Sequence, residues 1–146
     1  MSATNAMETA ILQLYFNNTD HANVGDAAGV QNSATAGSFY ISLHTADPGE
    51  TGTQTTSEAT YTSYARVAVA RSGAGWTVSG NNASNAAAIN FPACTGGTNT
   101  ITHFGIGSDV SGAGNLFFKG ALSASLAVSS GITPSFAIGE LDVNLD

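Results

Sequence analysis

From Met7 to Phe16 the apolar residues Met7, Ile11, Leu14 and Tyr15 recur at offsets of four, seven and eight, the stripe of a short amphipathic helix. Thr4 or Asn5 stands where its N-cap belongs. A ten-residue helix is not stable alone in water, so this one must dock on its own domain, a symmetry mate or a larger assembly. From Asn17 to Ser38 the periodicity dissolves into Asn, Gly, Ala and Asp, the composition of a long loop. Loops of that length in compact domains are usually functional or mobile, which points the segment from Thr19 to Ser38 toward contacts with neighbours.

At Phe39 the period changes to two. Short β-like runs follow at Phe39 to Thr45, Tyr64 to Arg71, Trp76 to Ser79, Ala86 to Phe91, Thr100 to Gly107, Asn115 to Leu122, Leu126 to Ser129 and Pro134 to Val143. The turn signals DPGETG, SGAG, SGNN, TGG, SGAGN and SSG separate them. About eight short strands and one short N-terminal helix predict a mainly β protein, an antiparallel β-sandwich or jelly roll. Residues 1–38 read as an assembly arm and residues 39–146 as the sandwich, in a chain of 146 residues that forms one compact domain overall.

Composition narrows the partners. Ala, Gly, Ser, Thr and Asn make up over half of the chain, while charged residues are only 9%. The net charge is −7, and Arg66, Arg71 and Lys119 are the only lysines and arginines. So few cations cannot neutralise many phosphates, so neither nucleic acid nor an anionic membrane is an expected partner. No run approaches the roughly 18 to 20 apolar residues needed to span a bilayer, and the start lacks the basic and apolar regions of a signal peptide. Synthesis in a cytoplasm is the expectation.

The candidate chemistry is sparse. No G-x-S-x-G pentapeptide occurs, and the pairs Gly73-Ala74-Gly75 and Gly112-Ala113-Gly114 lack the rest of any phosphate-binding loop, so they read as turns. His21, His44 and His103 show no ligand spacing and read as hydrogen-bonded or surface imidazoles. Asp47, Glu50 and Glu58 lie near an Asp-Pro-Gly turn; a calcium site there is possible chemistry, but the alternating oxygen ligands of a calcium loop are missing, and turn formation is favoured. Cys94 is the only cysteine and reads as a small buried hydrophobe. No catalytic residue, metal site or cofactor is therefore expected, and no enzyme. Arg66 and Arg71 stand out by rarity: they pair with Glu58, Glu140 or Asp142 across the sheet, or with acids on a partner. Phe117 and Phe118 point to opposite faces if the strand is regular, which makes one of them an interface anchor unless the helix covers it.

The string FYISLHTADPGETGTQTTSEATYTSYARVAVARSGAGWTVSGN, followed by AINFPACTGGTNTITHFGIGSDVSGAGNLFFKGAL, resembles small virion proteins of tailed bacteriophages, labelled either tail-fibre-like or capsid cement proteins. The resemblance runs from Phe39 to Leu122 and more loosely to the C-terminus. It implies a structural role in the virion and brings no catalytic residues. Within that family a compact knob without heptads or a solenoid period suits capsid decoration, in which the protein sits on the capsid surface, bridges neighbouring major capsid subunits and associates with itself as a dimer or trimer. The alternative is a tail-fibre or receptor-binding tip component. Either way the residues expected at interfaces are Met7, Ile11, Leu14, Tyr15, Arg66, Arg71, Phe117 and Phe118.

Overall fold

Thr4 begins the helix: its backbone is extended, and its side-chain oxygen accepts a hydrogen bond from the Met7 N–H. Helix α1 runs Asn5–Asn17 and stops at Asn18, whose left-handed backbone (φ 53°) suits an asparagine C-cap. The structure is a computed structural model that describes residues 2–145. Its strands are β1 (Ser38–His44), β2 (Val67–Ala70), β3 (Trp76–Ser79), β4 (Asn82–Asn85), β5 (Ile89–Asn90), β6 (Asn99–Gly107), β7 (Leu116–Val128), β8 (Ser135–Phe136) and β9 (Asp142–Asn144). The protein is thus mainly β, built from antiparallel pairs with one α-helix among the described residues, as the alternation predicts.

The chain divides into two compact units. One gathers Met1–Ser38, Ala70–Ala88 and Phe136–Asp146; the other gathers Phe39–Val69 and Ile89–Ser135.

The first unit holds α1 and the antiparallel sheet β3-β4-β9. The helix turns Glu8, Leu12 and Phe16 inward rather than the predicted stripe, and leaves Met7 and Tyr15 exposed. The cause is a surplus of apolar residues: Ile11, Leu12, Leu14, Tyr15 and Phe16 make two competing stripes about 100° apart. The one carrying Phe16 meets Trp76, which is wholly buried, with ring centroids 4.6 Å apart at an edge-on angle. The expected long loop is latched rather than open. Asn18 exchanges two side-chain hydrogen bonds with the Ser33 backbone, Asp20 accepts from the Asn32 N–H, and His21 and Val30 pair through both main-chain groups.

Two strand assignments in this unit differ from expectation. The run from Pro134 to Val143 is broken between β8 and β9 because buried Asn85 captures the intervening turn. Its Nδ2 donates to Ala87 O and Ala137 O, and its Oδ1 accepts from Leu141 N. Strand β4, Asn-Ala-Ser-Asn, carries no local strand signal and forms because β3 and β9 pair on either side of it.

The second unit holds the sheet β2-β1-β6-β7 over a core that includes Phe39, Ile41, Leu43, Phe91, Ile101, Phe104 and Ile106. Register aligns Ile41, Ile106 and Phe118 across three strands. Between Ile106 and Gly107 the β6–β7 register shifts, so Phe117 is an extra residue on β7. Its ring lies 5.8 Å from that of Phe39, on the face shared with Ile41. The bulge therefore cancels the alternation that would have set Phe117 and Phe118 on opposite faces. The two runs expected to end at Leu122 and to begin at Leu126 form one strand, within which a second shift leaves residues 122–125 opposite Thr102 alone. Cys94 is buried, and its thiol reaches Gly96 O.

On the other face of β6, Gly105 and Gly107 make a floor without side chains. A Cβ at Gly105 would stand 2.7 Å from both Ser42 Oγ and His44 Nε2, and one at Gly107 would collide with Gln54. Gly105→Ala should therefore cost about 1–3 kcal/mol by overpacking, read as a lower urea midpoint at unchanged slope. A variant as stable as the parent would show that the layer above is loosely held.

Candidate interaction surface

The segment between β1 and β2 covers that glycine floor with a buried polar layer. His44 Nδ1 lies 2.8 Å from Thr56 O; a carbonyl only accepts, so Nδ1 carries the proton and Nε2 accepts from Ser42 Oγ at 2.8 Å. Ser42 and His44 are both fully buried, which makes the pair a structural strut with no surface for a substrate. Burial lowers the His44 pKa below its ordinary 6.5, against a smaller raising effect of its bond to Thr56. Because the unfolded chain takes up this proton at higher pH than the folded one, the neutral imidazole contributes stability that is complete above pH 6.5 and is lost as the pH falls through the folded value. The thermal midpoint should drop between pH 7 and pH 5, and His44→Gln should flatten that slope; an equal slope in the variant would assign it to other groups.

Arg66 is the centre of the layer. Its guanidinium grips Glu58 with two bonds, Nε to Oε1 at 2.6 Å and Nη2 to Oε2 at 2.8 Å, and the Arg66 side chain is only 2% exposed. That hydrogen bonding holds the Arg66 pKa above its ordinary value. Tyr64 Oη donates to Glu58 Oε1 and accepts from Leu43 N, and burial keeps the phenol protonated far above its usual range. Of the partners expected for Arg66, Glu58 is thus the one the fold supplies, eight residues away rather than across a ladder.

The remaining guanidinium hydrogens reach the loop joining β6 to β7. Arg66 Nη1 donates to Asp109 O at 2.8 Å and Nη2 to Gly112 O at 2.7 Å. Gln54, wholly buried, accepts from Asp109 N through its side chain, and its own N–H donates to Ala113 O. Gly114 has a positive φ, and a Cβ there would strike Gln54 Oε1. Residues 108–115 are thereby set in one shape, with Val110 at the tip 62% exposed. Beside the start of β7, Asp47 accepts from Gly49 N in the expected turn, and Lys119 Nζ lies 3.0 Å from Asp47 Oδ1 and 3.2 Å from Glu50 Oε1. The Gly49 bond, with help from Lys119, holds the Asp47 carboxyl below its usual range. Among the described residues no three His, Cys, Asp or Glu side chains gather as metal ligands do.

In the first unit, Arg71 does for the helix what Arg66 does for the loop. Its Nε donates to Tyr15 O at 2.6 Å, Nη2 to Leu14 O and Nη1 to Ala36 O, so a cation caps the negative end of α1 and ties it to the end of the long loop.

The expected interface residues therefore separate. Met7, Tyr15 and Phe117 are exposed; Ile11, Leu14 and Phe118 are half-buried; Arg71 is half-buried and bonded to main chain; Arg66 is interior. Sequence reasoning missed Gln54, Tyr64 and Asn85, whose bonds reach 55, 21 and 56 residues along the chain. It also missed Val110, an exposed apolar residue in a polar loop.

Residues 2–144 match the family model described as Podophage GP4 fiber I protein gp80, and with nearly the whole chain covered the protein belongs to this family. It is a structural protein of a bacteriophage virion. No curated protein matches the chain.

Proposed function

We propose that the protein is a non-enzymatic fibre subunit of the phage adsorption apparatus, held to the virion by protein contacts and meeting the host surface through preset loops. The family's description as a fibre protein carries this reading over the capsid decoration first expected from the compact knob. The geometry supports it in one respect. A loop fixed before contact loses little conformational freedom on binding, and the loop of residues 108–115 is fixed by a buried arginine and a buried glutamine in a chain with three Lys and Arg residues in all. The acidic surface, at a net charge of −7, also keeps such a subunit off packaged DNA.

Immunogold labelling of intact virions, with copy number from quantitative mass spectrometry, tests the placement. Label confined to the tail or its vertex at low copy number is expected. Hundreds of copies over the head would overturn the fibre reading and restore decoration of the major capsid protein.

A further inference from the structure

The turn between β8 and β9 carries the most exposed large apolar side chain among the described residues: Ile138 is 70% exposed. The turn itself does not require an apolar residue there. Glu140 N donates to Ala137 O to close it, and Gly139 takes the left-handed position, with φ 75°. Nor does Ile138 stand alone, as a scattered surface residue would. Asn85 Nδ2 donates at 2.8 Å to both Ala137 O and Ala87 O, which sets the exposed Ala87 and Ala88 beside the exposed Ala137 and Ile138. We propose that this apolar corner docks into an apolar socket, rimmed by lysine or arginine, on a different protein of the virion. The proposal gives a location to the protein contacts that hold the subunit on the particle, and in that respect it rests on the reading above.

The corner is preset. Buried Asn85 accepts from Leu141 N through its side chain and from Gly139 N through its main chain, and Glu140 Oε2 accepts from Ala137 N at 2.6 Å. A turn tied down at both ends loses little freedom when Ile138 enters a pocket. Its rim is acidic: Glu140 and Asp142 are exposed, and the only lysine or arginine of this unit, Arg71, is spent on the carbonyls of α1 and the long loop. Charge complementarity therefore asks for cations around the socket. Two copies of the corner set face to face would oppose carboxylate to carboxylate, which selects a different protein as the occupant. A structural protein of a virion is seated against other proteins of the particle, and these supply the partner surface.

The test is made on the phage that encodes the chain. Particles grown with Ile138→Asp should carry about tenfold fewer copies of the subunit per major capsid protein, read by quantitative mass spectrometry, whereas Ile138→Leu should keep the parental number. The purified Ile138→Asp protein should keep the parental thermal midpoint, because the side chain makes no core. In intact particles, p-benzoylphenylalanine in place of Ile138 should cross-link on illumination to a virion protein other than this chain. A full copy number in Ile138→Asp particles, even with loss of adsorption to host cells, would overturn the socket. So would a fall in the thermal midpoint, which would assign Ile138 to folding, or a cross-link confined to a second copy of the chain. A cross-link to the major capsid protein would keep the socket and overturn the fibre placement, so the two failures are separate results.

Discussion

Arg66→Ala should destabilise the protein by about 3–5 kcal/mol, because it leaves the Glu58 carboxylate in a poorly hydrated site without its cation. Two carbonyls, Asp109 O and Gly112 O, lose their donors at the same time. For a chain of this length the loss corresponds to a thermal midpoint lower by about 10–16 °C. Arg66→Lys should recover little, since one ammonium cannot hold both carboxylate oxygens and both carbonyls in a fixed fork. Amide hydrogen exchange adds a local reading: the Asp109 N–H, bonded to Gln54 Oε1, should exchange faster in Arg66→Ala than the variant's loss of global stability explains. The most informative variant is the pair Arg66→Met with Glu58→Leu. A buried ion pair is often replaceable by apolar residues at little cost, so the double variant should be more stable than either single one while its 108–115 loop loosens. If Arg66→Ala costs less than about 1 kcal/mol, the layer is not what fixes the loop.

Trp76→Ala should cost a similar amount, about 3–5 kcal/mol, in the other unit. The indole is wholly buried and meets Phe16 edge-on, so its removal leaves a cavity under the helix. A 13-residue helix has too little intrinsic stability to persist without that contact, so helical circular dichroism should be lost at lower denaturant than the β signal. Trp76 is the only tryptophan, which makes Phe16→Ala a companion experiment read by fluorescence: its emission should shift to the red as water reaches the ring. Retention of the full helical signal in Trp76→Ala up to global unfolding would place the anchor of α1 elsewhere.

What was legible in the sequence follows the reach of the forces involved. β1, β3 and β6 match their expected spans within a residue, because Phe39, Ile41 and Leu43, Trp76 and Val78, and Phe104 and Ile106 put large apolar groups at period two. The helix was legible, but its inward face was not: with apolar residues on two stripes, only the position of Trp76 decides the phase. β4 has no such signal, and the run at residues 134–143 has a false one, overridden by the side chain of Asn85. For the candidate surface, scarcity singled out Arg66 and Arg71. Scarcity could not choose among the possible acids for Arg66, nor show that Arg71 serves backbone carbonyls. Both outcomes are set by segments brought together only in the folded chain.

The three extra residues in the middle of β7 bear on how such subunits tolerate crowding. β7 is the last strand of its sheet, and a bare strand edge is a template onto which another chain can anneal. Residues 122–125 interrupt that edge, leaving a stretch of five paired positions before it and three after. Neither stretch is long enough to recruit a neighbour's strand firmly, so copies held side by side on a particle, or accumulating in a host before assembly, remain separate folded bodies that touch through side chains. Deleting residues 123–125, so that Leu122 stands opposite Thr102, should remove this safeguard and yield thioflavin-positive aggregates under conditions where the parent gives none.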